Sequence, residues 1–255
     1  MRSQLLFRAR ASAIHASASV LAALLAACLV FLLWYPWPYR VISGGTELFL
    51  IVMGVDVILG PLITLAIFDL RKTRKALWRD MAVVVAVQLA ALGYGLHTVY
   101  EARPVVLAFE VDRFRVSNEA AIQIDELPKA LPVYRHLSLV GPVTVNTEVP
   151  TDNDAKFEAM VKGIAGADLG TRPSTWRPWD ARARQAALKA AKPLAQLLKA
   201  GCPGASEALC AAVARTRRTV DQLTAVPMLA RRTDWSVLLD KTTGDVVGFI
   251  PLDTF

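Results

Sequence analysis

Apolar residues gather in three long runs over the first hundred positions, Ser12–Trp34, Leu48–Phe68 and Met81–Tyr100, and break into short stretches thereafter. Each run is near the ~20 residues that an α-helix needs to cross about 30 Å of hydrocarbon. None holds a Lys or Arg, and the only acid inside them is Asp56. This pattern predicts a membrane protein with three N-terminal transmembrane helices (about 12–34, 48–68 and 81–100, within residues 1–103) followed by a C-terminal α+β extracytoplasmic domain over 104–255. A cleaved signal peptide competes for the first run, since Leu25-Ala26-Ala27-Cys28 reads like a lipoprotein cleavage box. The run continues through Leu29–Leu33, however, and exceeds the 7–15-residue apolar core of a signal peptide, so a retained helix is expected.

Beyond residue 103 the periods are those of a folded domain. Val105–Phe114 alternates, with Leu107, Phe109 and Val111 opposite Ala108, Glu110 and Asp112, which predicts a strand with one buried face. A short helix over Asp125–Ala130 and a brief strand over Val143–Val149 are expected next. Asp152–Gly163 reads as a helix, with Phe157, Met160, Val161 and Ile164 as its apolar stripe. Asp180 is placed to cap a helix reaching Ala200, interrupted or kinked at Pro193, with Arg182, Lys189, Lys192 and Lys199 in a basic stripe. Another helix spans about Ser206–Leu223. Ala225–Ala230 and the alternating Trp235, Val237 and Leu239 return to strand, and Lys241–Asp245 forms the turn of a hairpin that resumes at Val247 and Phe249.

Charge orients the spans. The net +7 divides into +5 for residues 1–100 (nine bases, four acids) and +2 for 101–255 (twenty bases, eighteen acids). Arg2, Arg8 and Arg10 precede the first run, and Arg71, Lys72, Arg74, Lys75 and Arg79 lie between the second and third. Tyr35–Glu47 carries one base and one acid. Positively charged short loops stay in the cytoplasm, so the N-terminus is expected inside and the C-terminal domain outside. The excess charge is thus mostly topogenic: the lipid bilayer is the expected partner, and no nucleic acid is.

Candidate chemistry is sparse. Asp56 stands well inside the second run, four residues before Gly60-Pro61. A carboxylate at that depth is costly unless it is paired, hydrated or protonated, and Pro61 frees a helix carbonyl nearby. By rise per residue its level on the third helix falls near Leu92–Tyr94, with His97 further out and Gln88 within a long side chain's reach. The segment is either an internal strut, a docking point for another helix, or a proton site. In Thr171–Trp179, Trp176 and Trp179 interleave with Arg172 and Arg177, residue types that favour binding hot spots. The alternative is a loop tucked over the core with Arg stacked on Trp. Cys202 and Cys210 are the only cysteines beyond the third run and could pair in an oxidising compartment; two buried thiols are the alternative. His15, His97 and His136 are scattered, so no metal site is expected. No phosphate loop, HExxH, GxSxG or dinucleotide glycine pattern occurs, so no cofactor and no catalytic residues are assigned.

Several segments together resemble a family. They are Trp34-Tyr35-Pro36, Gly44-Gly45, Gly54-Val55-Asp56 with Leu59-Gly60-Pro61-Leu62, Tyr100-Glu101-Ala102-Arg103-Pro104 leading into Phe109–Phe114, and Asp234–Asp240 with Gly248–Asp253. This arrangement is similar to the TfpX/TfpZ-type type IV pilin accessory proteins of the Gram-negative inner membrane, outside about residues 120–225. The resemblance implies help in assembling a cognate type IV major pilin and offers no catalytic residues to carry over. The expectation is a non-enzymatic accessory protein that binds pilin, with Asp56, Gly60, Pro61, Trp176, Arg177 and Trp179 as candidate contacts. The alternatives are a membrane-bound sensor, or an enzyme acting on lipid-linked glycan or pilin.

Overall fold

A computed structural model describes residues 2–69, 71–198, 207–231 and 235–255. The chain forms two compact units, one of residues 1–36 and 45–102, the other of 37–44 and 103–255.

The first unit is built from three helices: α1 (Arg2–Cys28, continued as a π-helix over Leu29–Trp34), α3 (Gly45–Ile67) and α4 (Arg74–Glu101). All three are long and apolar enough to cross a membrane. They outrun the apolar stretches because charged residues at their ends, such as Arg8, Arg74 and Glu101, are good helix formers in their own right. Their outward faces carry exposed Leu50, Ile51, Ile58, Leu62, Val87 and Leu89, which hydrocarbon rather than water would solvate. Inside, Ala26, Val30, Tyr35, Phe49, Met53 and Val99 form the buried cluster. The Tyr35 hydroxyl donates to the Val99 carbonyl at 3.0 Å, giving the buried phenol the partner it needs. Gly45 lies against the Tyr35 ring and Gly95 against Val52, at distances that leave no space for a Cβ.

The second unit is a mixed sheet with helices and 3-10 turns around it. Its first element is α2, one turn over Tyr39–Ile42 in the segment joining α1 to α3. The strands are β1 (Pro104–Glu110), β2 (Arg113–Asn118), β3 (Val143–Thr147), β4 (Trp176–Pro178), β5 (Lys192–Pro193), β6 (Leu223–Leu229), β7 (Trp235–Asp240) and β8 (Val246–Ile250). Their order is β4-β3-β1-β2-β6-β7-β8, with β5 paired to β6. The β1–β3 and β2–β6 pairs are parallel, and the rest are antiparallel. The helices are α5 (Asn153–Ile164), α6 (Ala181–Ala190), α7 (Leu194–Leu197) and α8 (Glu207–Arg215).

Several expectations change here. The run Val105–Phe114 is a hairpin rather than one strand: β1 ends at Glu110 and β2 pairs back from Arg113. Val111 makes the turn at a φ of 55°, a left-handed conformation that a β-branched residue rarely takes. No Gly or Asn announces it, so alternation ran on through it. Nor is β1 half-buried. It lies between β2 and β3, and all seven of its residues are buried. The helix expected to reach Ala200 stops at Ala190, and Lys192-Pro193 pairs with β6 instead, since Pro193 has no amide for a helix. That break also ends the basic stripe: Lys192 donates from Nζ to the Thr254 carbonyl, and Lys199 lies outside the described residues. α8 ends at Arg215, and its expected C-terminal portion is a 3-10 turn (Val220–Gln222) feeding β6.

The domain core has Leu107, Phe109, Phe114, Val226, Met228, Val237 and Leu239 at its centre. Ile42 from α2 joins that cluster with no exposed surface. Tyr39 is buried beside it, its ring 5.2 Å from Phe249 and edge-on. The segment Trp37–Gly44, between two membrane-spanning helices, thus belongs to this domain and gives Tyr39 and Ile42 to its core. Gly44, at a φ of 71°, closes the segment.

Candidate functional site

The first helix presents a polar line. Gln4, Arg8, Ser12, His15 and Ser19 recur at intervals of three and four and so share one face. Three of them meet α3 or the residues after it: Arg8 pairs with Asp69 at 3.3 Å, the Ser12 hydroxyl donates to the Pro61 carbonyl at 2.8 Å, and His15 Nδ1 lies 2.5 Å from Thr64 Oγ1. Side-chain bonds of this kind hold helices together in a bilayer, where apolar packing alone does not discriminate protein from lipid.

A groove of about 190 Å³ opens among the three helices, lined by His15, Ser19, Met53, Asp56, Gln88 and Leu92 with small alanines between them. Asp56 is half-buried on α3. Gln88 of α4 donates from Nε2 to the Asp56 backbone carbonyl at 3.2 Å, and its amide fills the place where a side chain on Gly60 would stand. Among the described residues nothing is hydrogen-bonded to the Asp56 carboxylate, which faces the groove together with His15. Tyr94 and His97, two partners expected from depth, are turned elsewhere. Tyr94 is 75% exposed, and His97 faces Glu101 at 3.4 Å. Helical phase decides this: Gln88 and Leu92 share a face four residues apart, and Tyr94 sits on another.

Asp56, Gly60 and Pro61 are thus gathered on the inner side of α3, where Gly60 and Pro61 are buried. α3 runs through Pro61 as one helix. Gln88 lies where a long side chain was expected to reach Asp56, whereas His15 and Ser19 were not singled out from sequence as its neighbours. The signal that points to these two is the polar line along the first helix, where Gln4, Arg8, Ser12, His15 and Ser19 recur at helical spacing.

Trp176, Arg177 and Trp179 belong to the second unit. Trp176 is buried, packs against Tyr134 and donates from Nε1 to the Gly170 carbonyl at 3.2 Å. Trp179 lies against Phe109 and Phe114, 6.1 and 5.5 Å between centroids. Both rings are anchored in the fold, although Trp179 is only partly buried, and Arg177, half-exposed, pairs with Glu148. The loop is pinned by Glu126, which accepts from Arg172 at 3.0 Å and from Ser174. Burial pushes the Glu126 carboxyl up, yet the hydrogen bonds from Ser174 and Arg172 outweigh it and hold the group below its ordinary value. Cys202 lies outside the described residues, and so does any pairing with Cys210 on α8. No group of three His, Cys, Asp or Glu side chains able to hold a metal ion occurs among the described residues.

Comparison with known proteins places this architecture. A family model described as fimbrial assembly protein FimB matches residues 3–44, the first helix and the segment after it. Two fimbrial assembly proteins of Dichelobacter nodosus, of serogroup E1 and serogroup I, are each 32% identical over 255 residues, all of this chain and 98% of the relative. A third, of serogroups C1 and C2, is 40% identical over 129 residues, 51% of this chain and 98% of that shorter protein. No solved structure matches the chain significantly. With a third of its residues shared from end to end with two such proteins, the chain belongs to the fimbrial assembly protein family.

Proposed function

We propose that this protein is a non-enzymatic accessory factor of type IV pilus assembly, of the TfpX/TfpZ type, held in the inner membrane and acting by direct binding of its cognate major pilin. Membership of the fimbrial assembly family supports the assembly role. The observation that carries the binding mode is the groove at Asp56. A carboxylate that has no hydrogen-bond partner among the described residues, in a helix able to span the bilayer, is a poor structural strut and a good acceptor for a donor on an incoming helix. The pilin's apolar amino-terminal helix would lie against α1, α3 and α4 there, while the second unit engages the pilin head.

Topology follows the same reading. The basic N-terminus and the Arg71–Arg79 segment remain cytoplasmic, and residues 103–255 are periplasmic. The folding of Trp37–Gly44 into one unit with residues 103–255 supports a single side for both.

The test is in-cell crosslinking from a photoreactive residue at Leu89, an exposed position on the groove wall, in a strain making the cognate pilin. A pilin adduct that weakens in an Asp56→Ala background is expected. Absence of adducts both at Leu89 and at Val133, a well-exposed position on the second unit, would remove direct binding.

A further inference from the structure

A second site lies within the second unit, where the segment between α1 and α3 meets the end of α8 and the edge strand β8. Trp37 is at its centre. The guanidinium carbons of Arg40 and Arg215 each stand 5.0 Å from the Trp37 ring centroid, cation–π distances for both. Arg231 comes in over the far end of the same segment: a Cβ on Gly44 would lie 3.1 Å from its Cδ. Among the described residues, Arg215 and Arg231 make no ion pair, in contrast to Arg218, which is bonded to Asp240 at 2.5 Å. Beside this basic rim runs a groove of about 280 Å³, lined by Trp37, Pro38, Arg215, Thr216 and the β8 residues Val246–Phe249. Arg215 on the groove wall, Arg40 and Arg231 along the neighbouring segment, and the apolar side chains of Trp37, Pro38 and β8 suit a ligand that is anionic at one end and hydrocarbon at the other.

Chain connectivity supplies the occupant. α1 with its π-helical continuation ends at Trp34, and α3 begins at Gly45. Trp37 is three residues past one membrane-spanning helix, and Gly44 one residue before the next. At no more than about 3.5 Å per residue, the Trp37 backbone is within roughly 10 Å of the end of the span, at headgroup depth. Trp and Arg are the residue types that settle at this level, the ring in the interface and the guanidinium on phosphate. We infer that Trp37, Arg40, Arg215 and Arg231 form a site for the headgroup of an anionic phospholipid, with the β8 groove taking the start of an acyl chain. A domain-borne Arg215 and Arg231 closing on a segment tethered at both ends to the bilayer would bind lipid only when α2 is seated in the core. Lipid occupancy and domain folding are then linked.

The experiment uses the full-length protein in nanodiscs of phosphatidylcholine, with or without an equal share of phosphatidylglycerol. Retained lipid is counted by native mass spectrometry after detergent release, and thermal unfolding of the same samples is followed. Wild type should retain phosphatidylglycerol and unfold at a higher temperature in its presence. The double variant Arg215→Gln/Arg231→Gln should retain roughly tenfold less, whereas Arg215→Lys/Arg231→Lys, which keeps the charge, should retain most of it. Arg182→Gln, an exposed base on α6, should behave as wild type. Equal retention of the two lipids by wild type, or loss of phosphatidylglycerol in Arg182→Gln to the same degree as in the double variant, would overturn the assignment. So would displacement of the lipid by a soluble acidic peptide at matched charge, which would make β8 a strand-addition edge for a protein partner.

Discussion

The Gln88 side-chain amide donates to the backbone carbonyl of Asp56 at 3.2 Å and leaves the Asp56 carboxylate to the groove. The third helix thus bonds the main chain of the second at the level of Asp56, the one acid within its apolar run, without bonding that carboxylate. A purely structural aspartate would be bonded by its neighbours, as Asp69 is by Arg8 and Arg71.

Two glycines on α4, two residues apart, should respond oppositely to alanine. A Cβ on Gly95 would overlap Val52 of α3, a stiff β-branched side chain, whereas Gly93 has nothing within 4 Å. Gly95→Ala is expected to destabilise the helical unit by about 1–3 kcal/mol through overpacking. Gly93→Ala should be neutral, or stabilising by a few tenths of a kcal/mol to about 1 kcal/mol, because Ala loses less backbone entropy in a helix. Thermal unfolding in detergent compares the pair directly, and equal behaviour would contradict the packing described for α3 and α4.

Ile42 should act as a core residue despite its place in an interhelical segment. It has no exposed surface and packs with Leu107, Phe109 and Val237. Ile42→Ala is expected to cost about 2–5 kcal/mol. The readout is protease cleavage within residues 103–255, which should accelerate although the substitution lies outside that range. An unchanged cleavage rate would mean that the segment is not integral to the domain.

Acid should weaken the domain through Asp240. Backbone amides of Thr243 and Thr242 donate to one of its oxygens at 2.9 and 2.8 Å, and Arg218 Nε to the other at 2.5 Å. The Thr243 amide and then Arg218 hold the carboxyl below its ordinary 3.8 against partial burial. The folded state therefore binds this proton less readily than the unfolded state. The stabilisation is complete above 3.8 and is lost as pH falls through the lower folded value. Wild type should exceed Asp240→Asn in stability at neutral pH, and the gap should close on acidification below about 4. A gap independent of pH would assign the difference to geometry rather than charge.

α5 should tolerate what a core helix does not. Phe157, Met160, Val161 and Ile164 form one stripe, yet all four are exposed and the helix has no buried residue. Phe157→Ser with Ile164→Ser should change domain stability by no more than about 0.5–1 kcal/mol. Denaturant unfolding of the full chain in detergent checks this, and a loss of several kcal/mol would show that the stripe is covered.

The stripe on α5 and the run through Val111 mark where pattern and fold part company. Periodicity states which face of a helix or strand is apolar, and it did place α5, capped by Asp152, at Asn153–Ile164. It says nothing of whether another element arrives to cover that face. In β1 the error is the reverse. Alternation suggested one solvated face, but Leu107 and Phe109 enter one core cluster and Val106 and Ala108 another, so both faces are covered, and Glu110 is buried with Arg115 and the Gly170 amide as partners. The Trp–Arg loop was equally double-valued in sequence, and the rings went inward because Phe109, Phe114 and Tyr134 stood ready to receive them.

The features legible along the chain are those that depend on local physics. The length and polarity of three runs make membrane-spanning helices, since a helix satisfies its own backbone in hydrocarbon. Short-range alternation and turns make the C-terminal hairpin of β7 and β8. The remainder comes from packing between distant segments: His15, Gln88 and Asp56, from three different helices, share one groove, and Ile42, from the segment between two helices, enters a sheet's core. These are contacts between residues tens to hundreds of positions apart. Helical phase, strand order and the space left by glycines set them, and none of these is written in any single stretch of the chain.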